Sequence, residues 1–121
     1  MKFLLFSTIL LALMVTISAC RVKKNSDIAI NKNAILIDVR SVAEFNEGYL
    51  PGAINIPHTE ISARISTIVP DKSTPLYLYC RSGRRVGIAM EALKEIGYTN
   101  MTNLGGLADA AKTLNLKPVK P

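Results

Sequence analysis

Leu76-Tyr77-Leu78-Tyr79-Cys80-Arg81-Ser82-Gly83-Arg84-Arg85 is the stretch whose pattern decides the fold. Its first five residues form an unbroken apolar and aromatic run, as expected of a strand covered on both faces. Arg81-Ser82-Gly83 ends that run, and Gly83 lets the chain bend tightly or visit positive φ. From about Arg84 a helix is predicted to run to Glu95, burying Ile88, Ala89, Ala92, Leu93 and Ile96. Gly97 supplies its left-handed C-terminal residue, and Tyr98 follows. Cys80 therefore falls at the C-terminal end of a strand, just before a loop and a helix N-terminus.

The same alternation continues on both sides. Upstream, Ala34-Ile35-Leu36-Ile37 reads as a buried strand, and Ser41-Val42-Ala43-Glu44 has the capping-box form that opens a short helix ending near Gly48. Pro51-Gly52 marks a turn, and Ala53 to Ile56 a short strand stopped by Pro57. Thr59 is expected to cap a second helix carrying Ile61, Ile65 and Ile68 on one face. Pro70 to Pro75 is a loop. Downstream, Thr99 to Asn103 reads as a brief strand, Leu104-Gly105-Gly106 as a turn and Leu107 to Leu114 as a last helix. Strands alternating with helices imply an α/β domain, a mostly parallel central sheet flanked by helices. At about 90 residues its core is small for this class.

The start of the chain has a different character. Met1-Lys2 precedes an apolar run from Phe3 to Ile17, then Ser18, Ala19 and Cys20. A run of about 15 residues is short for a membrane span, which needs roughly 20, and it fits a signal peptide over residues 1–19. Ile17-Ser18-Ala19-Cys20 is similar to the lipobox of bacterial lipoproteins, which makes Cys20 the expected lipidation site. Residues 20–33 then form the lipidated cysteine and a polar tether, and residues 34–121 the domain. This organisation implies a bacterial cell-envelope protein, lipid-anchored through Cys20 to a membrane and facing the periplasm or the outer surface of the cell membrane.

Of the 121 residues two are cysteines, Cys20 and Cys80. Exported domains generally use cysteines in pairs. With Cys20 acylated, Cys80 is left as a lone and reactive thiol. The chain carries 15 Lys and Arg against 9 Asp and Glu, a net charge of +6. Loss of residues 1–19 removes one lysine. The positive charges form no stripe interleaved with aromatics, so a nucleic-acid partner is not expected. Arg21, Lys23, Lys24 and Lys32 lie in the tether, where an anionic membrane surface attracts them. Arg81, Arg84 and Arg85 crowd behind Cys80 and point to a small anion.

Chemistry follows from that crowding. A loop curling around a sulfur aims successive backbone N–H groups at it, the helix N-terminus adds partial positive charge, and the guanidiniums add more. All three favour thiolate over thiol. The contrary expectation, that Cys80 is an inert packing residue, suits a lone strand cysteine but not one followed by three arginines and a glycine.

Cys80-Arg81-Ser82-Gly83-Arg84-Arg85 resembles the active-site loop of the rhodanese family. Asp38-Val39-Arg40, Glu44-Phe45, Gly48 to Ala53 and Asn55-Ile56-Pro57 are similar to that family's first signature, and Gly97-Tyr98 with Gly105-Gly106-Leu107 to its closing one. The resemblance covers roughly residues 28 to 112. Within the family the phage-shock protein E group looks nearest, especially from Arg64 through Asp71 and Gly97 through Ala110. The closing signature often carries a Trp that this chain lacks.

The resemblance implies a thiosulfate-type sulfurtransferase. Cys80 would take a sulfur from thiosulfate as a persulfide and pass it to cyanide or a small thiol. Arg81, Ser82, Gly83, Arg84 and Arg85 would bind the donor, with Arg85 at the family's arginine position. A structural salt bridge from Arg85 to Asp38 or Glu44 is the competing use. Asp38, Arg40 and Glu44 are expected to support the fold near the site. No cofactor or metal is expected, and the domain is expected to act as a monomer. Tyr77 and Tyr79 read as packing, and His58 as a solvated or capping residue.

Two other functions fit the loop. One is a persulfide carrier that docks a partner protein without turning over free thiosulfate. The other is an oxyanion enzyme, a phosphatase or arsenate reductase. Those enzymes place arginine six residues after the cysteine, where this chain has Val86.

Overall fold

The structure, a computed structural model, describes residues 31–121. The expected signal peptide, Cys20 and the first part of the expected tether lie outside the described residues. Eight elements follow in order: β1 Ile35–Asp38, α1 Val42–Glu47, β2 Ile54–Asn55, α2 Ile61–Ile68, β3 Leu76–Cys80, α3 Arg84–Glu95, β4 Met101–Gly106 and α4 Leu107–Leu114. The strands form one parallel sheet in the order β2-β1-β3-β4. The α/β class expected from sequence is the one observed.

β3 lies inside the sheet, and its alternating side chains divide the core in two. Leu76, Leu78 and Cys80 point to one face, where they join Ile37, Val39, Ile61, Ile65, Val86, Ala89 and Leu93. α2 and α3 cover this face. Tyr77 and Tyr79 point to the other, packing with Leu50, Leu104 and Ala110 beneath α4. The tyrosine hydroxyls stay satisfied: the Tyr79 hydroxyl accepts the Leu50 N–H at 3.0 Å, and the Tyr77 hydroxyl accepts the Asn31 N–H at 2.7 Å. On the α3 side, Tyr98 is buried and donates its hydroxyl to the Val69 carbonyl. Cys80 thus belongs to the α2/α3 core layer and also ends the strand that feeds the loop.

Several boundaries differ from the sequence expectation, each for a local reason. β1 starts one residue later, and β2 keeps only Ile54 and Asn55. Thr59 does not cap α2; Glu60 occupies the cap position in a helical backbone conformation with no side-chain cap bond. In α3 the buried stripe is Val86, Ala89 and Leu93, and Ile88 is 49% exposed. Ala92 and Ile96 flank the core as partly buried neighbours. The helix is rotated relative to the expectation because Val86 follows the loop directly into the core. Leu104-Gly105-Gly106, expected as a turn, instead prolongs β4, with a register shift that pairs Gly106 with Cys80. Gly97 takes the left-handed backbone expected of it, with φ +98°.

Leu78 is fully buried in β3. Leu78→Ala should cost about 2–5 kcal/mol of stability, read from the midpoint and slope of urea unfolding.

Candidate active site

β3 ends at Cys80 and α3 begins at Arg84, so three residues turn the chain through the space between them. Gly83 makes that turn, with φ +91° and ψ −14°, a left-handed conformation that costs glycine little. Its N–H donates to the Cys80 sulfur at 2.9 Å. The sulfur sits beside the first turn of α3, whose free N–H groups and dipole favour negative charge there.

Cys80 is a free cysteine and only 1% exposed. The thiol expected to be reactive is also covered, because its side chain is part of the core layer under α3. Arg81, Ser82 and Arg84 are exposed on that loop. Neither Arg81 nor Arg84 pairs with a carboxylate among the described residues.

Arg85 is differently placed. Its Nη1 and Nη2 donate to Glu44 Oε1 and Oε2 at 2.6 and 2.8 Å, a two-point contact between α3 and α1. Of the two carboxylates considered from sequence, Glu44 is the partner. Glu44 is bound from its own helix as well: the Ser41 hydroxyl donates to Oε1 at 3.1 Å, and the Glu44 N–H donates to that hydroxyl at 3.2 Å. The capping box expected from Ser-x-x-Glu is present and extended by an arginine. That arginine, foremost, holds the Glu44 carboxyl down to about 2; burial opposes it, and the Ser41 contacts add to the lowering. Arg85 is raised in turn, first by Glu44, with Cys80 among the lesser contributions.

Asp38 and Arg40 form a buried pair behind the site. Arg40 Nη2 is 2.6 Å from Asp38 Oδ2, and Nε bonds both carboxylate oxygens at 3.0 Å. Arg40 Nη2 also donates to the Gly48 carbonyl at 2.6 Å, tying the end of β1 to the end of α1. Desolvation is tolerable here because the polar atoms find partners. Both residues are buried.

One wall of the site escaped the sequence. The end of β4 presses on the loop so tightly that a Cβ at Gly106 would stand 2.2 Å from the Arg81 carbonyl oxygen. Asp109 holds the Gly106 N–H at 3.3 Å from α4. The paired Gly105-Gly106 was the available signal, but it looked like a turn. Val86, at the position where the oxyanion enzymes carry arginine, is fully buried in the core.

Comparison with known proteins bears on this geometry. A family model described as Rhodanese-like domain matches residues 22–112. The thiosulfate sulfurtransferase PspE of Escherichia coli (strain K12) is 48% identical over 75 residues, covering 62% of this chain and 72% of that protein. A sulfurtransferase of Allochromatium vinosum is 35% identical over 79 residues, 65% of this chain and 72% of that one. A solved structure of a rhodanese with anions from E. coli superposes with a TM-score of 0.65 at 42% identity, covering 73% of this chain and 99% of that chain.

The Glu44–Arg85 bridge has a pH signature. A depressed carboxyl contributes stability above its ordinary value of 4.5, and that contribution fades as pH falls toward about 2. Glu44→Gln should therefore cost about 1–2 kcal/mol at neutral pH. In urea unfolding the gap between the two proteins should close as acid is added from pH 4.5 toward about 2.

Proposed function

This chain belongs to the rhodanese-like family and is a sulfurtransferase, and from that premise we propose that Cys80 carries sulfane sulfur as a persulfide. The donor is thiosulfate or a similar anion, and the acceptor is cyanide or a small thiol. The observation that carries the proposal is the 2.9 Å contact from the Gly83 N–H to the Cys80 sulfur, in a turn flanked by Arg81 and Arg84, neither of which pairs with a carboxylate among the described residues. A hydrogen bond to sulfur from a fixed N–H favours the thiolate, the nucleophilic form.

Two displacements make the cycle. The Cys80 thiolate attacks the outer sulfur of thiosulfate; a new S–S bond forms, the old one breaks, and sulfite leaves with the electron pair. Cyanide or a thiolate then attacks the outer sulfur of the persulfide, and the electrons of the S–S bond return to Cys80. No net oxidation or proton uptake is needed with cyanide, so a general base has no task. Arg81 and Arg84 draw in the dianionic donor and balance sulfite as it departs. Arg85, held by Glu44, fixes the start of α3 and lends positive charge from the side; its first duty is to the loop's position. The loop N–H groups stabilise anionic sulfur throughout. An oxyanion reaction is disfavoured by the fully buried Val86.

The 1% exposure of Cys80 also favours a second reading, a carrier that accepts one sulfur and gives it up only to a docked partner. Turnover separates them. With thiosulfate and cyanide, the enzyme should release thiocyanate continuously, and Cys80→Ala should release none. One equivalent of sulfite released from thiosulfate, with the sulfur retained on Cys80 and no thiocyanate formed, would identify the carrier; equal thiocyanate release with and without Cys80 would refute both.

We propose further that the chain is exported and anchored by acylated Cys20, so that the domain works as a monomer in the bacterial envelope. The support is the apolar run before Ser18-Ala19-Cys20. Mass spectrometry of the N-terminal peptide from protein made in bacteria should find a diacylglyceryl group on Cys20. An N-terminus still carrying Met1 would contradict it.

A further inference from the structure

One side chain beside the sulfur loop has no part in the chemistry above. Asn103 lies in β4, on the wall that backs Arg81 to Gly83. Its Nδ2 donates to the Gly83 carbonyl at 3.3 Å, and its Oδ1 accepts the Gly105 N–H at 2.8 Å. The same Gly83 carbonyl accepts the Gly87 N–H at 3.2 Å, in the first turn of α3. The other end of Gly83, its N–H, is the group that meets the Cys80 sulfur.

Gly83 has the widest backbone freedom in the loop, and it is held at φ +91°. If the backbone angles at Gly83 changed, the preceding Ser82–Gly83 peptide could turn and its N–H would leave the sulfur. Packing alone pins it from one side: a Cβ at Gly83 would lie 3.3 Å from the Gly105 Cα and 3.6 Å from Asn103 Oδ1. Asn103 adds a directional bond to the carbonyl, while its bond to Gly105 fixes its own rotamer. The amide therefore couples the irregular end of β4 to the orientation of one N–H at the reacting atom.

We infer that Asn103 is a positioning residue for sulfur transfer: by holding the carbonyl of the Gly83–Arg84 peptide it fixes the backbone angles at Gly83, which keep the N–H of the preceding Ser82–Gly83 peptide facing Cys80. This deepens, and rests on, the sulfurtransferase reading of the site. Asn103 does not touch donor or acceptor.

Two substitutions test it. Asn103→Ser is uncharged and keeps a hydroxyl able to accept the Gly105 N–H two residues on, but is too short to reach Gly83. Asn103→Ala removes both bonds. In the thiosulfate and cyanide assay both should lose about fivefold in kcat, the effect of one hydrogen bond, with KM for thiosulfate changed less than about twofold. In amide NMR the Gly83 resonance should move in both variants while amides of α2 and α4 stay in place, a pattern that general loss of stability does not produce. Asn103→Ser with wild-type kcat and an unmoved Gly83 resonance would overturn the inference, even if Asn103→Ala failed to fold. Should the unmodified protein release no thiocyanate, the sulfur-transfer reading fails, and the Gly83 resonance still decides whether Asn103 holds the peptide.

Discussion

The contact between the Gly83 N–H and the Cys80 sulfur is the constraint to which the rest of the structure answers. It requires a strand that ends with its last side chain turned into a core layer, and a residue that accepts a left-handed backbone three positions on. It also requires a helix that starts at once. β3 supplies the first, Gly83 the second and Arg84 the third. Each surrounding element then limits how far that turn can relax. β4 closes it from one side at backbone contact distance. α1 reaches it from another through Glu44 and Arg85. The Asp38–Arg40 pair keeps the end of β1 fixed below.

Burial and reactivity compete at Cys80. A thiol that packs among Leu78, Val86 and Ala89 helps stabilise the small core, yet a nucleophile must be reached. The Cys80 side chain fills the core layer, while Arg81, Ser82 and Arg84, close after it in the chain, are exposed. Glu44 shows the same economy, since one carboxylate caps α1 and anchors α3.

Local signals made much of this legible in the sequence. The five apolar residues of β3, the Ser41–Glu44 capping box and the span of α3 each follow from neighbours within a few positions, and each appears as expected. What escaped depends on contacts distant in sequence. Ile88 looked like a core residue, but the entry of the chain from the loop turned Val86 inward in its place. Gly105-Gly106 looked like a turn because nothing nearby shows that the Arg81 carbonyl occupies the side-chain space at 106. Arg85 had two uses on paper, and only the folded position of α1 gives it to Glu44. Asn103 carried no signal, since its role needs a loop 20 residues away in sequence.

A persulfide at Cys80 is read directly by intact mass with peptide mapping. Reduced protein treated with thiosulfate and desalted should gain the mass of one sulfur atom, located on the peptide containing Cys80 and removed by cyanide. Protein that gains no mass, or gains it at any other residue, would contradict the account.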